Sequence, residues 1–150
     1  MNTSASVSAH GPSASASINQ RHTTLANATE LAGRVLLASL FLLAGLSKLG
    51  AYGATAAYMS SAGVPGALLP VVIATELLGA LAIILGWKTR VAATLLAGFS
   101  LLTAFTFHNN LADQIQMIMF LKNVSIAGGL LLLVANGAGP LSLDRRFAKH

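Results

Sequence analysis

The stretch ALLPVVIATELLGALAIIL, residues 67–85, decides the reading of this chain: nineteen residues with one charge, Glu76, set near the middle. A helix of that length crosses the roughly 30 Å hydrocarbon core of a bilayer at about 1.5 Å per residue. An acidic side chain at the centre of such a helix costs about 2.5–3.5 kcal/mol on insertion scales, so it persists where a partner offsets the cost or a function requires it. Glu76 therefore marks a buried polar site inside a membrane protein.

Working outward, three further stretches have the same character, at 28–48, 91–108 and 115–136, alongside 66–86 around Glu76. The composition agrees: 55% of the 150 residues are hydrophobic, 9% are charged, and four are acidic. That balance excludes an ordinary soluble domain. The expected fold is all-α, a bundle of four transmembrane helices joined as antiparallel hairpins. GWKTR at 86–90 is too short for anything but a tight reversal, and 109–114 plays the same part between the last two spans. The longest connection, LGAYGATAAYMSSAGVP at 49–65, places Tyr52 and Tyr58 among small residues, as suits a short interfacial segment between the first two spans.

Three regions are expected: a disordered Ser/Ala-rich tail at 1–27, the four-helix domain at 28–140, and a basic tail at 141–150. The first of these lacks the basic-then-apolar order of a secretory signal peptide. Arg21, Lys88, Arg90, Arg145, Arg146 and Lys149 fall on one side of a four-span topology, against Lys48 and Asp113 on the other. The excess of basic residues thus follows the membrane and gives no reason to expect nucleic acid. The positive-inside rule puts both termini in the cytoplasm.

The chain has no cysteine, which removes dithiol chemistry and thiolate metal sites. His10, His22 and His150 lie in the tails, leaving His108 alone within the spans, so neither a metal site nor a bis-histidine haem is expected. The chemistry-bearing residues of the spans are Arg34, Lys48, Glu76, His108 and Lys122. Arg34 and Lys48 are fourteen positions apart and fall within roughly 40° of one helix face. Depth along the helices suggests a centre in which Glu76 meets Arg34 or Lys122, with Lys48 and His108 at its outer mouth. Such a cluster has three readings: an interhelical ion pair that fixes register, a pocket for a quinone or similar amphiphile with Glu76 as proton acceptor, or a site that holds a cargo without chemistry.

The strings RVLLASLFLLAGLSKL (34–49), ATELLGALAIILGWKTRVAA (74–93), FLKNVSIAGGLLLL (120–133) and GPLSLD (139–144) resemble the DoxX family of small four-helix membrane proteins. The resemblance implies a multi-pass protein of the bacterial cytoplasmic membrane. Its pattern positions are Arg34, Gly45 with Lys48, Glu76 with Gly79, the Gly86 turn, and Lys122 with Asn123. It also implies a membrane subunit or partner of a quinone-linked oxidoreductase, with quinone as the implied ligand and another redox subunit or a second copy as partner. The alternative it leaves open is a non-catalytic scaffold, chaperone or carrier of a small amphiphile.

Overall fold

The computed structural model describes residues 14–148, with side chains from Thr23 onward. Six helices follow one another: α1 Ala14–Gly50, α2 Tyr52–Ser61, α3 Leu69–Leu85, α4 Thr89–Phe107, α5 Gln114–Asn136 and α6 Leu143–Phe147. The residues of α1 from Thr23 on, α3 with the 3₁₀ turn before it, α4 and α5 are each long and apolar enough to cross a membrane. The chain is a four-helix transmembrane bundle. In it α1 packs mainly on α3 and α4 mainly on α5, while α3 and α4 meet less extensively and α1 touches α5 lightly.

The boundaries follow from local chemistry. Pro70 stands in the first turn of α3, where its missing N–H costs nothing, and Gly86 ends the helix in the left-handed region at φ 68°. The Trp87 N–H then donates back to the Ala82 carbonyl at 2.9 Å, and the chain reverses into α4. At Gly86 any Cβ would lie against Ser142 and the Arg34 guanidinium, so both conformation and space call for glycine here. The Asp113 carboxylate caps α5 by accepting from the Gln116 N–H at 2.9 Å. The short helix α2 fills the connection expected to be interfacial, and its Tyr58 stacks on Phe107 of α4 at 5.5 Å.

Two expectations about the tails are corrected. The segment expected to be disordered through residue 27 is helical from Ala14, and residues 1–13 lie outside the described residues. Between Pro12 and Gly33 nothing breaks a helix, and extending an existing helix costs far less than nucleating one. The C-terminal segment, expected as a plain basic tail, folds back onto the bundle. Gly137 and Gly139 take positive φ, 80° and 73°, and turn it under the end of α3.

Asp144 fixes that return. Its carboxylate accepts from the Lys88 and Thr89 N–H groups at 2.7 and 2.9 Å, supplying a cap to α4 from 55 residues away. The Asp144 N–H in turn donates to the Gly86 carbonyl at 2.8 Å. Burial works against the charged form, but the N–H donors of Thr89 and Lys88 and the nearby Arg34 charge outweigh it. Asp144 is therefore held below the usual carboxylate range. A depressed folded value means that the Asp144 contribution is complete above its unfolded pKa of about 3.9 and is lost as pH falls below that toward the folded value. The stability gap between wild type and Asp144→Asn, measured by thermal unfolding in mild detergent, is expected to be constant from pH 5 to 7 and to shrink below about pH 4. A gap that stays constant to the acid limit would show that the carboxylate charge is not what holds the segment.

Candidate functional site

Seven residues into α3, Glu76 turns toward α1 and is 4% exposed. Its Oε1 accepts from the Lys48 ammonium at 2.8 Å, the one ion pair among the described residues. The approach is made by Gly45, one turn before Lys48. A Cβ there would sit 2.7 Å from the Leu77 side chain and 3.4 Å from the Glu76 Cβ. The absent side chain at 45 brings α1 against α3, and one turn later the lysine stem spans the remaining depth to the acid. Gly79 serves the other flank of α3, where a Cβ would meet Leu96 of α4 at 2.9 Å.

This corrects the expected centre, in which Glu76 met Arg34 or Lys122. Arg34, 2% exposed, lies toward the opposite end of the bundle and pairs with no carboxylate. Its Nη1 donates to the Ala138 carbonyl, and its Nη2 donates to Leu141 at 2.8 Å and Ile84 at 3.3 Å. The guanidinium therefore gathers the end of α3 and the returning C-terminal segment, where helix carbonyls concentrate partial negative charge. Lys122 is exposed on the outer face of α5, with no polar partner among the described residues.

One oxygen of the pair is unspent. Glu76 Oε2 is buried and has no hydrogen-bond partner among the described residues, while the Lys48 side chain is 26% exposed. Both residues line a cavity of about 490 Å³ roofed by Thr55, Tyr58 and Met59 of α2 and walled on the far side by Phe99, Thr103, Thr106 and Phe107 of α4. His108 stands at its rim, its Nδ1 2.8 Å from Gln116 Oε1. Leu68, Val71 and Leu102 line it too and are exposed on the lipid-facing surface, so the cavity opens sideways into the bilayer. Of the five residues singled out from the sequence, Lys48, Glu76 and His108 come together here; Arg34 and Lys122 do not.

Sequence reasoning missed the α2 roof and the threonines. Thr75, Thr103 and Thr106 sit in apolar helices, where the hydroxyls of Thr75 and Thr103 donate to the Val71 and Phe99 carbonyls at 2.8 and 2.9 Å. Thr103 and Thr106, three apart and followed by His108, form a polar edge at the end of α4 that could have been read as facing Glu76. No group of three or more His, Asp or Glu side chains gathers to hold a metal among the described residues.

A chain with this fold and this buried acid–lysine pair beside a largely apolar cavity is a small polytopic membrane protein. The DoxX family model matches residues 29–109, and the chain belongs to that family. It is 48% identical over 119 residues to inner membrane protein YqjF of Escherichia coli, covering 79% of this chain and 92% of that protein. It is 42% identical over 102 residues to inner membrane protein YphA of the same organism, covering 63% and 73%. A more distant likeness, 34% over 80 residues, is to the ER-derived vesicles protein ERV29 of Saccharomyces cerevisiae, covering 49% of this chain and 26% of that one. No solved structure matches the chain significantly.

Proposed function

We propose that this chain is a membrane-embedded binding subunit for a lipid-soluble amphiphile of quinone type, held at the Lys48–Glu76 pair, and that it serves a quinone-linked oxidoreductase as its membrane partner. The observation that carries the reading is the half-used carboxylate: Glu76 Oε2 is buried and unpartnered among the described residues, and Glu76 itself lines a cavity that a small shift of its side chain would open to this oxygen. A wholly structural ion pair surrounded by packed side chains would leave neither an unspent acceptor nor room beside it.

In this reading Glu76 Oε2 accepts a hydrogen bond, and in turnover a proton, from a hydroxyl on the bound head. Lys48 keeps the carboxylate compensated and offers its remaining ammonium hydrogens to a carbonyl oxygen. His108, at the rim beside Gln116, relays protons between the cavity and the interface on the α2 side. Electrons pass to a partner subunit. The protein sits in the bacterial cytoplasmic membrane with both termini inside. That placement is supported by the two Escherichia coli relatives, both inner membrane proteins by name, and by the gathering of Lys88, Arg90, Arg145 and Arg146 at the end of the bundle where α1 starts and α5 finishes.

The test is native mass spectrometry of wild type, Glu76→Gln and Lys122→Ala, each purified in mild detergent. A quinone-sized adduct is expected on wild type and Lys122→Ala. Glu76→Gln is expected to lose it by roughly ten-fold or more, the scale of a hydrogen bond to a charged acceptor. Equal adduct on all three, or loss on Lys122→Ala alone, would move the site away from the pair. Intact protein without any adduct but with a retained partner would favour a scaffold.

A further inference from the structure

The cavity at Glu76 does not end within the bundle's α2 half. A second one, of about 550 Å³, runs along the lipid-facing side of the α3–α4 seam as far as Trp87 and Lys88 in the turn between them. The two cavities share Val71 and Thr75, and Thr75 is the neighbour of Glu76 in the chain. They therefore adjoin the same stretch of α3, although Glu76 itself lines only the first. The second is lined on α3 by Ala74 and Ala82, whose short side chains reach little into it, and α3 packs less extensively on α4 than on α1. From Thr75 to Leu85, where α3 ends, is ten residues, roughly 15 Å of helix rise.

We propose that the ligand of the Glu76 site is a long-chain amphiphile whose polar head lies at the Lys48–Glu76 pair and whose single hydrocarbon chain lies in the α3–α4 groove, pointing toward Trp87, so that it enters sideways from the bilayer. The proposal rests on the binding reading above and adds the chain to it. The head must bring a hydroxyl for the buried Glu76 Oε2, and a carbonyl or second hydroxyl suits the Lys48 ammonium. A phosphate head does not suit the place, because the carboxylate would repel it and the Lys48 charge is already balanced by Glu76. A chain that leaves lipid tails for a protein groove gains close packing rather than release from water, so its contribution to affinity is modest.

The experiment uses the full chain in lipid nanodiscs with two probes, a benzoquinol bearing a ten-carbon chain and the same benzoquinol without one. Binding of both is measured to wild type and to Ala82→Phe, which puts a ring into the groove away from the pair, with Ala74→Phe as the second variant. Partition of each probe into the bilayer is the same for every protein and cancels when the ratio of the two affinities is compared between proteins. Wild type is expected to favour the chain-bearing probe, and the variants to lower that preference roughly five-fold while holding the chainless probe as wild type does. Unchanged chainless binding also shows that the variant is folded. An unchanged preference in both variants overturns the groove and leaves the head site standing. Failure of both probes to bind wild type overturns the head site, and the groove with it. A phospholipid that stays bound and is not displaced by the chain-bearing probe overturns the identity of the occupant.

Discussion

Replacing Arg34 with alanine is expected to destabilise the bundle by about 3–5 kcal/mol, a large share of the stability of a small domain. Three carbonyls, of Ile84, Ala138 and Leu141, take their donors from this one guanidinium. The bond to Ala138 is buried and those to Ile84 and Leu141 are part-buried. A buried acceptor left unpaired costs about 1–3 kcal/mol, a part-buried one less, and the guanidinium's own lost packing adds to the sum. The loss also spreads, because the segment that Arg34 holds carries Asp144, which caps α4. Arg34→Lys tests the geometry rather than the charge. An ammonium is a point donor on a flexible stem and does not reproduce a planar fork that reaches three carbonyls on separate segments, so lysine is expected to recover less than half of the lost stability. Thermal unfolding of detergent-purified protein, read by helical circular dichroism, separates the three proteins. If Arg34→Lys behaved as wild type, charge alone would be at work, and the carbonyl clamp would not be the reason for an arginine inside the span.

The four spans, the reversal at Gly86 and the interfacial α2 were legible because each depends on features local in sequence: unbroken apolar length, a glycine at a left-handed helix end, a proline in a first turn. The partner of Glu76 was not. Depth along straight helices pairs the acid with the cations nearest its level, Arg34 and Lys122, but depth says nothing of where two helices touch. Gly45 brings α1 against α3 one turn before Lys48, and a lysine stem from the interface covers the several ångströms of depth that remain. Arg34 looked like a counter-charge because a buried cation ordinarily requires one. Its real partners are backbone carbonyls delivered by a C-terminal reversal at Gly137 and Gly139, whose glycines read only as turns. Lys122 reaches the level of Glu76 by depth alone, and α5 has too little amphipathic asymmetry to show which side faces its neighbours. Only the packing of α4 and α1 against α5 shows that Lys122 faces outward.

The second large effect concerns the Lys48–Glu76 pair, where stability and binding are expected to come apart. Lys48→Met leaves a carboxylate 4% exposed with no counter-charge, and a buried pair broken from that side costs about 3–5 kcal/mol. Glu76→Gln leaves the ammonium instead, but the Lys48 side chain is 26% exposed near the end of α1 and can carry its charge out to the interface, so the cost is about 1–2 kcal/mol. The double variant Lys48→Met with Glu76→Gln has no unpaired charge at all. It is expected to unfold within about 1 kcal/mol of wild type, since a well-packed neutral replacement of a buried pair is often neutral or better. The coupling between the two sites should therefore be large and of compensating sign. A purely structural pair predicts this stability pattern as well, so the deciding observation is the adduct. A double variant that is fully folded yet has lost the bound amphiphile shows that a pair dispensable for stability is retained for what it holds. A double variant that keeps the adduct would show that the cavity walls, and not the ionic pair, select the ligand.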